Sequence, residues 1–185
     1  MYKQIRTSLV AVAFVAACAL PATAQQPGGV LADLMIDVTQ LEKKMIDLAK
    51  AIPADKYDWR PAAGVRSIGE VLLHISADNY LLPAILGTAA EASTGIKGDD
   101  YKTAVAFENR KMNRDAIIAE LEKSFVHLKK SLAGTQDAKL GEKVSMFGQT
   151  FTVQQTWILA TTHAHEHLGQ MIAYARSNGV KPPWS

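Results

Sequence analysis

The feature that most constrains the fold is an apolar stripe of helical period. Leu31, Leu34, Val38, Leu41, Met45 and Leu48 follow a 3-4-3-4-3 spacing, which places all six side chains on one face of an α-helix. Such a face must be buried against another element of the same domain. The chain supplies partners of the same kind. Ile68, Val71, Leu72, Ile75 and Leu82 form a second apolar face, and Ile117, Leu121, Phe125, Leu128 and Leu132 a third. A fourth helical segment follows Thr152. There is no internal repeat and no strong alternating strand pattern, so the expectation is an all-α four-helix bundle.

Capping residues set the helix boundaries. The first helix runs from about Val30 to Lys50 and closes at Ile52-Pro53, followed by an ordered loop from Asp55 to Arg66. Ser67 and Glu70 form a capping box that opens the second helix. Pro83 is expected to kink that helix, and Gly87 to end it. Gly87 to Met112 is a long connection with room for a short helix around Lys102 to Glu108. A connection of that length can cross the whole bundle, which predicts that the second and third helices run parallel. The third helix spans Asn113 to Ala133, with His127 expected at the surface. Val144 to Phe151, around Gly148, reads as a small extended excursion. Thr152 and Gln155 form a second capping box, and the fourth helix ends at Asn178-Gly179 ahead of Pro182-Pro183.

The first 24 residues read as a secretory leader. Lys3 and Arg6 precede an apolar run from Ser8 to Leu20, and Pro21-Ala22-Thr23-Ala24 supplies an A-x-A site with cleavage after Ala24. This predicts a periplasmic or secreted protein in which residues 25–185 form one domain. A minority alternative is a lipoprotein acylated at Cys18, after Val15-Ala16-Ala17. The leader holds two of the 20 basic residues and none of the 18 acidic ones. The mature chain is therefore balanced in charge, with no basic stripe for nucleic acid and no expected membrane association. Cys18, the single cysteine, leaves with the leader, so any metal must be held by nitrogen and oxygen donors.

Those donors are concentrated near the C-terminus. His163-Ala164-His165-Glu166-His167 puts three imidazoles into five residues. Residues four apart share a helix face, so His163 and His167 can grip one ion while His165 points away. His74, at the apolar boundary of the second helix, is the candidate third ligand. Asp78, one turn later, is a candidate fourth ligand, an orienting partner or a solvent-facing residue. Glu166 and Gln170 are candidate orienting partners, since ligating histidines usually pass their other N–H to an acceptor. Neutral imidazoles suit a divalent transition metal, zinc or nickel first among them. Three protein ligands leave a position for water or substrate. An H-E-x-x-H motif, a di-iron carboxylate set and a Gly-rich phosphate loop are all missing from the sequence.

Two blocks of the sequence resemble the DinB-like family. The first is Trp59-Arg60-Pro61 with Val65-Arg66-Ser67-Ile68-Gly69-Glu70, leading to His74. The second is His163 through Gln170, continuing through Ile172-Ala173-Tyr174-Ala175-Arg176 and Asn178-Gly179-Val180 to Pro182-Pro183. The resemblance implies an up-down-down-up bundle and a metal triad that falls on His74, His163 and His167. It also implies homodimers in some members and thiol-dependent transfer or isomerisation in others. The leading functional expectation is an exported metal-dependent hydrolase or thiol transferase acting on an unknown small molecule. The alternatives are a metal-binding envelope protein without turnover and a dimeric interaction module, the latter suggested by Trp59 and Trp184.

Overall fold

The computed structural model describes residues 29–185, and the leader reading lies outside these described residues. Four long helices make the body: α1 (Val30–Ala51), α2 (Ile68–Ile85), α4 (Arg114–Ala133) and α5 (Val153–Ser177). A short helix, α3 (Tyr101–Glu108), sits in the long connection. A hairpin of β1 (Lys143–Met146) and β2 (Gln149–Thr152) precedes α5.

Side-chain pairings fix the helix directions. Gly69 lies against Ile117, and ten residues later Asn79 donates to Ser124 Oγ at 3.0 Å. Residue numbers rise together, so α2 and α4 are parallel, as the length of the connection predicts. Between α1 and α4 they run in opposition: Arg114 donates to the carbonyl of Ile52, Lys50 pairs with Glu122, and Glu42 pairs with Lys129. Between α2 and α5 they also run in opposition, with His74 near His167 and Asp78 near His163. The course is therefore up-down-down-up.

Local chemistry explains where the elements begin. Glu70 N–H donates to Ser67 Oγ at 3.3 Å while Glu70 Oε2 accepts from Ser67 N–H at 2.8 Å. Thr152 and Gln155 repeat the arrangement at 3.1 and 2.8 Å. Each box satisfies two amide groups that the first helical turn leaves free. Helix α2 continues through Pro83 to Ile85.

The core follows the predicted stripes. Val38, Leu41, Met45 and Leu48 from α1 meet Leu121, Phe125 and Leu128 from α4, with Trp157 of α5. Helix α2 is buried on nearly every side, because α3, α4 and α5 all pack on it. That burial carries His74 into the interior. His127 corrects the surface expectation. Its ring is half-buried beside Tyr80, at 5.3 Å between ring centroids, and its Nε2 is buried without a partner among the described residues. Burial holds its pKa below the ordinary histidine value. The connection after α2 runs close to this ring, a placement that the spacing of helix α4 alone does not reveal.

Candidate metal centre

Antiparallel packing of α2 on α5 brings three imidazoles to one point. One ring nitrogen each from His74, His163 and His167 lies within 4.8 Å of the others. His74 Nε2 is 3.0 Å from His163 Nε2, which in turn is 3.2 Å from His167 Nε2. The three rings meet edge to face, with centroids 4.5–5.2 Å apart. His74 is buried, and His163 and His167 are half-buried.

Neighbours fix which nitrogen of His74 and of His167 carries its proton. His74 Nδ1 lies 2.7 Å from Glu108 Oε1. A carboxylate accepts, so Nδ1–H donates and Nε2 presents a lone pair. His167 Nδ1–H likewise donates to Gln170 Oε1 at 2.8 Å, and Gln170 Nε2–H continues to the Tyr174 hydroxyl at 2.9 Å. Tyr174 is held edge-on by Trp59 at 5.3 Å. The Trp59-Arg60-Pro61 loop thus supports the His167 ring through two intermediaries. Arg60 braces the same loop by donating to the Val65 carbonyl and to Glu70.

Asp78 faces the cluster, which rules out the solvent-facing reading. Its Oδ2 lies 2.9 Å from His163 Nε2 and 3.4 Å from His74 Nε2. This carboxylate raises the His163 pKa against the opposing effect of burial. Burial lowers that of His167, the Gln170 contact only partly offsetting it. For Glu108, burial alone would raise the pKa. Hydrogen bonds from His74 and Arg66, with the charge of Arg66, outweigh it and hold the carboxyl below the ordinary range. Glu166 reaches His163 Nδ1 at 3.5 Å but is largely exposed, so it is a weaker partner than Gln170. His165 is exposed on the far side and meets Asp37 at 3.0 Å.

The donor set fits a cation. His74 Nε2 and His167 Nε2 both aim lone pairs at His163 Nε2. That nitrogen carries at most one proton, and Asp78 competes for it. At least one of these close nitrogen–nitrogen contacts therefore has no hydrogen between its atoms, an arrangement that a positive ion relieves. Two nitrogens each about 2.0–2.1 Å from a tetrahedral ion stand roughly 3.3 Å apart, close to the 3.0 and 3.2 Å that separate His163 Nε2 from His74 Nε2 and His167 Nε2.

A cavity of about 380 Å³ opens beside the cluster. His74, Asp78 and His163 form its polar end, and Leu82, Leu159, Tyr101 and Phe147 its walls. Glu108, Tyr101 and Phe147 are site residues that the sequence reading did not single out. Glu108 carried a readable signal, an acidic residue ending a short amphipathic helix. The two aromatics carried none, because they come from different connections.

An antiparallel pair of helices bearing three converging imidazoles, inside an up-down-down-up bundle, defines a class of metal-site helical proteins. Residues 38–171 match the DinB superfamily, and the chain belongs to it. No curated protein sequence matches the chain. Among solved structures, a DinB-like protein from Bacillus cereus is 19% identical with a TM-score of 0.63, covering 82% of this chain and 95% of that one. YfiT from Bacillus subtilis, described as a probable metal-dependent hydrolase with an unusual four-helix bundle topology, is 13% identical. Its TM-score is 0.64, with 82% of this chain and 89% of that one covered. A mycothiol-dependent maleylpyruvate isomerase is 11% identical with a TM-score of 0.61, covering 76% of this chain and 60% of that one. At these identities the likeness is one of fold.

Proposed function

We propose that this protein is a metal-dependent hydrolase of small molecules, with the ion held by His74, His163 and His167. The observation that carries the reading is the convergence of three ring nitrogens at the polar end of an apolar cavity. The description of YfiT agrees with it. Zinc and nickel suit an all-imidazole set. The leader-like first 24 residues support action in the periplasm or outside the cell.

Bound there, a divalent ion polarises a carbonyl oxygen and makes water a better nucleophile. The chain's own residues then have separate tasks. Glu108 and Gln170 hold two imidazoles with their lone pairs turned inward. Asp78 Oδ2, beside these nitrogens and facing the cavity, accepts a proton from the attacking water and returns it to the leaving group. The apolar walls keep other water away from the reacting bond.

The experiment is elemental analysis of protein purified from its native compartment, paired with hydrolysis of a panel of esters and amides. Each of H74A, H163A and H167A is expected to lose metal and turnover together. Turnover that survives metal loss contradicts the proposal. The position of Asp78 also favours a second reading, in which it supplies a fourth ligand and closes a site without turnover. A D78N variant that loses the ion supports that reading; one that keeps the ion but loses turnover supports the hydrolase.

A further inference from the structure

Phe147 occupies a backbone conformation that its residue type avoids. The turn from β1 to β2 contains two residues, Phe147 and Gly148, with φ of 53° and 74°. Two successive positive φ values make the tight hairpin turn for which Asn-Gly and Asp-Gly are the usual choices. Gly148 takes this conformation freely, whereas the Cβ of Phe147 makes it costly. Strain of this kind persists where the surrounding structure or the function requires it.

Burial does not explain it, because the Phe147 ring is 56% exposed. It meets Tyr101, itself 46% exposed, edge-on at 5.5 Å. Both rings line the cavity that ends at His74, Asp78 and His163. Tyr101 is put there by Gly98, which packs so tightly on α2 that a Cβ would lie 2.5 Å from the backbone of Ala84. Two separate connections, each with a demanding backbone feature, thus deliver an aromatic ring to one cavity mouth. The opposite wall is Leu82 and Leu159.

We propose that Tyr101 and Phe147 form a clamp for an aryl group of the substrate, which makes the substrate class aryl-substituted esters. This rests on the hydrolase reading. The cavity volume suits one ring and a short linker, at the small end of ligand pockets. The reaction adds the hydroxyl of water to the acyl carbon and breaks the bond from that carbon to the ester oxygen. The remaining proton passes through Asp78 to the departing alkoxide.

Binding and turnover are measured separately. N-benzylacetamide, uncharged and slow to hydrolyse, is titrated into metal-free full-length chain and followed by amide NMR shifts. The expected shifts map to Tyr101, Phe147 and Leu159. F147N and Y101S each weaken binding by roughly tenfold, the scale of a lost apolar contact in a pocket. F147N also raises Tm or leaves it unchanged, because Asn suits this turn. In zinc-loaded protein, the preference for ethyl phenylacetate over ethyl acetate falls by a similar factor in both variants, mainly through KM. Amide binding that F147N and Y101S leave intact, or shifts away from this cavity, overturns the clamp. Clamp-dependent binding with no ester turned over in zinc-loaded or native-metal protein keeps the clamp and removes the hydrolase reading instead.

Discussion

Glu108 Oε1 accepts a hydrogen bond from His74 Nδ1 at 2.7 Å, while the other oxygen of the same carboxylate is paired with Arg66 at 3.0 Å. A residue at the end of the short connecting helix therefore determines which nitrogen of a buried imidazole faces the ion site. Ligand-orienting carboxylates of this kind are typically worth about 10–100-fold in metal affinity. E108A is expected to weaken zinc binding by that range and E108Q by less, since the glutamine carbonyl still accepts. Competition with a chromophoric chelator measures both. Equal affinity in E108A and the parent protein would remove Glu108 from the account.

Under the hydrolase proposal Asp78 transfers the proton between water and leaving group. D78N should retain one ion per chain and lose roughly 10²–10⁴-fold in kcat, the usual contribution of a positioned acid–base group. Metal content and steady-state rates on the same preparation decide the matter. Loss of the ion would make Asp78 a ligand.

The helices and their directions were legible because each depends on local chemistry. The stripe from Leu31 to Leu48, the two capping boxes and the long connection after Gly87 dictated the bundle and the parallel pairing of α2 with α4. The triad was legible for a related reason. His163 and His167 are neighbours by helical period, and His74 sits at the boundary of a helix with apolar residues all around it. Tyr101, Phe147 and the pairing of Glu108 with His74 were not, because they depend on how two connections fold back over the cavity. His127 was misread for the same cause. Its own helix puts it beside an apolar stripe among lysines, and what covers it comes from elsewhere.

Gly98 and Gly169 make opposite predictions from the same substitution. A Cβ at Gly98 meets the Ala84 backbone at 2.5 Å, whereas one at Gly169 meets nothing within 4 Å. G98A is expected to destabilise by about 1–3 kcal/mol through overpacking. G169A, inside α5, should stabilise by up to about 1 kcal/mol through helix propensity. Urea midpoints at constant m-value test both, and a neutral G98A would mean that the connection carrying Tyr101 is not tightly docked.

Tyr57 links stability to alkaline pH. Its hydroxyl donates to the Ala49 carbonyl at 2.7 Å, and burial pushes its pKa up to about 12, only partly offset by Arg114. A raised pKa means that the folded state favours the protonated phenol. The stabilising contribution is thus complete below the ordinary pKa of 10.0 and is lost as pH rises towards about 12. Denaturation midpoints from pH 9 to 12 should fall more steeply for the parent chain than for Y57F. Parallel curves would show that the phenol is not coupled to folding.

The most direct test of the central claim is titration of metal-free protein with zinc against a competing chelator, for the parent chain and each single His-to-Ala variant. One equivalent should bind tightly to the parent. H74A, H163A and H167A should each lose more than the roughly 10–100-fold expected of an orienting partner, while H165A should bind like the parent. Absence of tight binding by the parent, or affinity unchanged in any of the three variants, would contradict the shared-ion site.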